Sequence, residues 1–419
     1  MERTIQPTDD TRWRLESPGA RGWARSVRPG AKKYFMISVD NHLMPNMKEF
    51  VGRLDKKWHR QLPRVETRDD GERYMVIPGM RPDRLINVTM QGDDLARSKA
   101  GGDTMTLSKG EGDPVGLERI ADQERDGVDG EVIFPNGPVL LMWASGDTEF
   151  VDAQCRVWND WAWETCSPFK DRCNPAAALA TADVGLSIKE VERVAKMGYR
   201  TLILPCKPIW GAHSIEHANY NLPIYDPLWA AIQDHDLTIC YHVSTGKDPR
   251  AARGNGGAVI NSVVHSLSPT IEPIVSMCAS GAFERFPKLR AGTIEADAGW
   301  VPWVMEKMDE TYRKHHFWVR PKLKALPSEY YRSNCFASFG EDRVAIDLVE
   351  KYGLQNNLMW GNDFPHHEGS WPFSAESIER SFGNHLQEST RAKLLGLNAA
   401  RIFRFEVPDW AREPPPTAT

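Results

Sequence analysis

Little in this chain of 419 residues argues for a partner through bulk charge or bulk hydrophobicity. The net charge is −5 with 26% charged residues, which gives no electrostatic ground for binding nucleic acid or an anionic membrane. No apolar run approaches the roughly 20 residues that a membrane helix needs. The first residues, Met1-Glu2-Arg3-Thr4-Ile5-Gln6, lack the apolar core of a signal peptide. Cysteine is sparse, with seven residues scattered and no C-x-x-C pair. That argues against a thiolate metal site or a disulfide frame, and for reduced, mostly buried thiols in a cytoplasmic protein. No internal repeat and no second nucleotide-binding domain is visible. Tryptophan, by contrast, is plentiful at 15 residues. Most belong to a core, and several stand near strand ends where they could wall a pocket.

Apolar strand-like runs alternate with helix-like stretches eight times. The runs are Tyr34 to Val39, Gly130 to Phe134, Ala176 to Ala180, Thr201 to Leu204, one ending at Tyr241, one ending just before Glu295, Cys335 to Phe339 and Leu358 to Gly361. Such alternation predicts a parallel sheet, and eight repeats predict its closure into an α/β (β/α)8 TIM barrel. Residues 1–33 read as an N-terminal arm, 34–405 as the barrel and 406–419 as a flexible tail. The excursion from Met47 to Pro114 is too long for a simple connection and reads as a lid-like insertion after strand 1. The stretch Ala258 to Phe283 reads as one long helix.

Four of the strands end in residues that bind metals. Asp40-Asn41-His42 follows the first, His242 the fifth, Glu295 the sixth and Asp363 the eighth. Asp40 and His42 are two apart, so a strand points both to one side. Each has a plain alternative: an Asx-type turn for Asp40, a satisfied core histidine for His242, a turn cap for Asp363. Glu295 is harder to set aside, because a buried carboxylate is costly without a cation or partner. Together, in strand order, they describe a metal site at the C-terminal mouth of the barrel. His265 and His366 are further candidate ligands, with His265 equally readable as a helix histidine bonded to backbone. Asp363 and His265 are the candidate acid–base residues. Of His366 and His367, the first is favoured because Pro365 fixes the turn. Lys207 reads as a surface lysine, and His315-His316 as a solvated helix end. Trp143, Trp210 and Trp371 could line a pocket, with core packing as the default.

These residues resemble the amidohydrolase superfamily, in its amidohydrolase family 2 branch, which includes the aminocarboxymuconate-semialdehyde decarboxylase type. The likeness runs from about Tyr34 to Phe403. It is carried by Asp40-Asn41-His42, Asp126-Gly127-Val128-Asp129-Gly130, Trp158-Asn159-Asp160-Trp161, Tyr225-Asp226-Pro227-Leu228-Trp229, Phe286-Pro287-Lys288-Leu289 and Gly361-Asn362-Asp363-Phe364-Pro365-His366. The resemblance implies metal ligands at Asp40, His42, His242 and Asp363. The decarboxylase type opens with His-x-His and carries a histidine after strand six, where this chain has Asp40 and Glu295. Two imidazoles have become two carboxylates, which favours harder ions such as Mn or Fe(II) over Zn and permits a carboxylate bridge between two metals. In that respect the chain also resembles a branch described as amidohydrolase-related dinuclear oxygenases.

Three readings follow. The one preferred from the sequence is an oxygen-activating hydroxylase with two ions, Fe or Mn, acting on a small-molecule substrate. The alternatives are a hydrolase or non-oxidative decarboxylase with one divalent ion, and a non-catalytic subunit that stabilises a homologous chain. The tryptophans on helices and their flanks (Trp158, Trp161, Trp163, Trp300, Trp303, Trp318) lead us to expect a homo-oligomer or a pairing with a homologous subunit.

Overall fold

The computed structural model describes residues 34–69, 71–76, 78, 82–84, 117–208, 219–245, 255–366, 369–371, 373–383 and 385–412. Strand β1 (Ile37–Leu43) is followed by β2 (Arg64–Thr67), β3 (Arg73–Val76) and β4 (Asp83–Arg84), which form a small antiparallel sheet of their own. Seven strands then pair with β1. They are β5 (Gly130–Pro135), β6 (Cys173–Ala178), β7 (Thr201–Leu204), β8 (Thr238–His242), β9 (Arg290–Ile294), β10 (Cys335–Phe339) and β11 (Leu358–Trp360). All neighbours in the order β1-β5-β6-β7-β8-β9-β10-β11 are parallel. The ring closes just past β11, where Asn41 bridges Phe364 and the His42 amide donates to the Phe364 carbonyl at 2.8 Å. This is the (β/α)8 barrel that the alternation predicts.

Side-chain alternation along the strands explains how the barrel is filled and where the site falls. On β8, Ile239 and Tyr241 join the hydrophobic cluster under the helices, while Cys240 joins the other cluster, with Ile203 of β7, Ile294 of β9, Phe336 of β10 and Met359 of β11. On β7 and β11 the same split separates Leu202 and Leu204 from Ile203, and Leu358 and Trp360 from Met359. His242 stands two residues beyond Cys240, so it keeps to the same side of the strand. Strands buried on both faces read as continuous apolar runs, which is why they stand out in the sequence.

Four sequence expectations are corrected. Strand β1 spans Ile37–Leu43 instead of Tyr34 to Val39, so Asp40 and His42 lie inside it. A bulge between Ser38 and Asn41 turns the strand there, and its polar residues find buried partners that let pairing continue. The expected long helix from Ala258 to Phe283 is broken into Gly257–Ile260, a π-helical stretch at Asn261–Leu267, then Ser268–Ala279 and Ala282–Arg285. Pro269 cannot donate to the preceding turn and crowds it, and the wider turn relieves it, while Pro273 lies within the α-helix that follows. The third strand begins at Cys173, three residues early. In the excursion, helix Met47–Arg53 and the turn Lys56–Gln61 bury Phe50, Leu54 and Trp58 in the cluster that holds Phe150 and Val151 of helix Thr148–Cys166. The Trp58 and Phe150 rings lie 5.4 Å apart. Residues 85–116, the N-terminal arm 1–33 and, of the expected tail 406–419, residues 413–419 lie outside the described residues, while Asp409–Arg412 forms a short helix where a flexible tail is expected.

Candidate metal centre

The C-terminal ends of β1, β8, β9 and β11 deliver Asp40, His42, His242, Glu295, Asp363 and His366 to one point. Gly361 makes this possible. A Cβ there would lie 2.8 Å from the Asp40 Cβ, so only glycine lets the end of β11 approach β1 so closely. Glu295 (φ 57) and Asp363 (φ 54) both occupy the left-handed region that side chains rarely adopt. Each such residue costs about 1–3 kcal/mol and persists where its surroundings force it. The turn after Asp363 contains a cis Phe364–Pro365 bond and ends on His366.

The donor atoms face each other. His42 Nε2 lies 3.4 Å from Asp40 Oδ1, 3.8 Å from Glu295 Oε2 and 3.3 Å from Asp363 Oδ1. His242 Nε2 lies 3.4 Å from Asp40 Oδ1 and 3.2 Å from Glu295 Oε2, and His366 Nδ1 lies 2.8 Å from Asp363 Oδ1. Donors about 2.1 Å from a common ion stand roughly 3.0–3.4 Å apart in octahedral or tetrahedral arrangements. They form two overlapping groups: Asp40, His42, His242 and Glu295, and His42, Glu295, Asp363 and His366. His42 and Glu295 belong to both.

The ring tautomers are set from behind. His42 Nδ1 lies 3.2 Å from the Pro135 carbonyl and His242 Nδ1 2.8 Å from the Val243 carbonyl. Carbonyls only accept, so both Nδ1 atoms carry the proton and both Nε2 atoms offer lone pairs inward. His366 is turned the other way. Its Nε2 is 3.1 Å from Asn136 Oδ1, an oxygen identified by the Gly137 amide donating to it at 2.6 Å. His366 therefore donates through Nε2 and presents Nδ1 to Asp363.

The residues present fit a divalent cation. Asp40 Oδ1, His42 Nε2, His242 Nε2, Asp363 Oδ1 and His366 Nδ1 are buried and make no hydrogen bond with proper geometry. Orphaned acceptors crowded against carboxylates repel one another unless positive charge sits between them. Electrostatics agree. Burial alone would raise the Asp40 carboxyl, yet the imidazoles of His242 and His42 outweigh it and hold Asp40 well below the usual carboxylate range. Burial would lower His42, yet Asp363 and Asp40 hold it well above the usual imidazole range. The pocket calls for a cation or protons.

Comparison with known proteins agrees with the geometry. The model of the amidohydrolase family, family 2, matches residues 112–405. The chain belongs to this family. Gamma-resorcylate decarboxylase from Rhodococcus jostii (strain RHA1) is 25% identical over 264 residues, covering 59% of this chain and 75% of the relative. An amidohydrolase from Mycobacterium avium subsp. paratuberculosis K-10 superposes with a TM-score of 0.70 at 18% identity, covering 91% of this chain and 100% of that one. 5-Carboxyvanillate decarboxylase from Sphingomonas paucimobilis gives 0.60 at 20% identity, covering 89% and 99%. Dihydroxybenzoic acid decarboxylase from Polaromonas sp. JS666, solved with bound manganese, gives 0.59 at 16%, covering 90% and 99%. At such identities the structures show a shared fold.

In this chain His265 joins neither donor group. It is half-buried on the π-helical stretch, with Nδ1 3.0 Å from Asn261 Oδ1 one turn back. Lys207 pairs with Glu272 at 3.3 Å, and His315 stacks on Trp318. Trp143 and Trp371 are buried packing residues, while Trp210 and His367 lie outside the described residues. Trp158 and Trp161 are core, whereas Trp303 and Trp318 are exposed. All seven cysteines are free and buried. No described helix is long and apolar enough to cross a membrane. Sequence reading missed Asn136, the residue that orients His366. It directly follows β5, so the strand-end criterion that found the other residues could have found it too.

Proposed function

We propose that this chain is a divalent-metal-dependent, non-oxidative decarboxylase of a hydroxylated aromatic carboxylate. The observation that carries the reading is the group of orphaned, tautomer-fixed donors at the barrel mouth, in a chain whose named relatives include decarboxylases of hydroxybenzoates. This ranks the reading placed second from the sequence above the oxygenase. Asp40, His42 and His242 would hold the ion, with Glu295 and Asp363 beside it. A carboxylate-rich set suits manganese. The ion supplies Lewis-acid charge against the substrate carboxylate and its neighbouring oxygen.

The chain's own residues account for the proton. A ring hydroxyl pushes electron density onto the carbon that bears the carboxylate. That carbon takes a proton, the C–C bond breaks, CO2 leaves and the ring regains aromaticity. Asp363 is the proposed proton donor, delivering from its carboxyl and recovering the proton from solvent. Its Oδ1 lies 2.8 Å from His366 Nδ1 and 3.3 Å from His42 Nε2. Phe134, its ring 5.2 Å from His242, walls the site on the β5 side.

One observation favours the second reading, an oxygen-activating two-metal hydroxylase. Asp40, Glu295 and Asp363 would leave excess negative charge around a single divalent ion, which is costly where solvent is scarce. His366 Nδ1 and Asp363 mark a second position, and Glu295 is common to both donor groups. Metal analysis of protein expressed with manganese and iron, paired with an oxygen electrode, separates the two. One ion per chain and no substrate-dependent oxygen uptake supports the decarboxylase. Two ions with stoichiometric uptake would overturn it.

A further inference from the structure

Beneath the donors runs a buried polar belt, and we infer that Gln123, on helix Leu117–Arg125, is the positioning residue that sets the two ligand-bearing turns in register. The inference rests on reading the donor cluster as a metal site.

Gln123 is 2% exposed. Its Nε2 donates to Glu131 Oε2 at 2.8 Å and reaches Asn41 Oδ1 at 3.3 Å, while its Oε1 accepts from Asn362 Nδ2 at 3.1 Å. Asn41 lies between Asp40 and His42, and Asn362 directly precedes Asp363. One amide thus spans β1 and the turn after β11, bonded to the immediate neighbours of three donors. Its orientation is forced. Glu131 only accepts, so the nitrogen must face it and the oxygen must face Asn362.

Glu131 is itself fixed by Arg119, with Nε to Oε1 and Nη2 to Oε2 both at 2.8 Å. The same guanidinium reaches the His42 carbonyl at 3.3 Å and lies over the Phe364 ring at 4.6 Å. Without Gln123, Asn41 still accepts from the Phe364 amide and Asn362 still bonds Asp126 and Ser38. Each turn keeps its local shape, and what is lost is the link from the helix to both. Outer partners of this kind typically carry about 10–100-fold in metal affinity.

The test is isothermal titration of Mn2+ into metal-stripped protein, with thermal melting of the same samples. Gln123→Leu and Gln123→Met remove the amide at similar volume, and the second serves if the first does not fold. The control is Asn174→Ala, which removes a buried bond to Thr201 Oγ1 (3.0 Å) at the start of β6. We expect Mn2+ affinity to fall about 10–100-fold in the Gln123 variants, and to stay within twofold of wild type in the control even where its melting temperature drops. Folded Gln123 variants that bind Mn2+ as wild type does would overturn the inference alone. Absence of Mn2+ binding by the wild-type chain would overturn the metal reading and the inference with it.

Discussion

Replacing Asp126 by asparagine should flatten the dependence of stability on pH between about 4 and 7. Asp126 is buried between helix Leu117–Arg125 and the start of helix Ser374–Phe382. It accepts from the Ser374 amide at 3.0 Å, the Ser374 hydroxyl at 2.5 Å and Asn362 Nδ2 at 3.1 Å. Burial raises its carboxyl from 3.8 to about 7, against the opposing pull of those donors. The sign follows from the order of the two values. Below 3.8 the group is protonated folded or unfolded, and stability is greatest. As pH rises toward 7 the unfolded chain ionises freely while the folded chain resists, so stability falls; above 7 the loss is complete. A gap of about three pH units at about 1.4 kcal/mol each gives a loss of roughly 4 kcal/mol. Asp126→Asn cannot ionise, so urea unfolding at pH 5, 7 and 8.5, with manganese constant, should show wild type losing roughly 3 kcal/mol relative to the variant, the part of the loss that falls above pH 5. Other titrating groups are common to both proteins and cancel in the difference. A difference that stays constant across the three pH values would refute the reasoning.

Asp40→Ala should abolish metal retention while leaving the fold in place. The check is metal analysis after desalting, with circular dichroism for structure. Arg119→Met should cost about 3–5 kcal/mol in urea unfolding, because it strands the Glu131 carboxylate in the interior without its bidentate partner. Gly292→Ala puts a methyl 2.3 Å from the Phe336 ring and should destabilise by about 1–3 kcal/mol. The double variant with Phe336→Ala should then fall short of additivity in a double-mutant cycle.

Much of the barrel was legible because its strands are buried on both faces and read as unbroken apolar runs, such as Leu237-Thr238-Ile239-Cys240-Tyr241. Polar metal-binding types at the ends of those runs then stood out, and the structure brings Asp40, His42, His242, Glu295, Asp363 and His366 together. The extent of β1 was not legible, since Asp40-Asn41-His42 looks like the end of a strand until buried partners for each polar group are known. His265 and His366 were equivalent as letters. The π-helical stretch and the turn after Asp363 decide between them, and both are set by tertiary contacts. Gln123 and Arg119 sit in an amphipathic helix that reads as ordinary surface, and their burial depends on Glu131 and Asn362, far apart in sequence. The break between Ala258 and Phe283 was signalled by Pro269, whose effect on the preceding turn local periodicity does not carry.

The most direct test of the central claim is anaerobic incubation of the manganese-loaded protein with 2,6-dihydroxybenzoate and related ortho-hydroxybenzoates, followed by chromatography and CO2 measurement. CO2 and the matching phenol should form in equal amounts without oxygen, with activity lost on chelation, restored by manganese and abolished in Asp363→Asn. Manganese-replete protein that releases no CO2 from any of these acids, or that turns over only when oxygen is admitted, would contradict it.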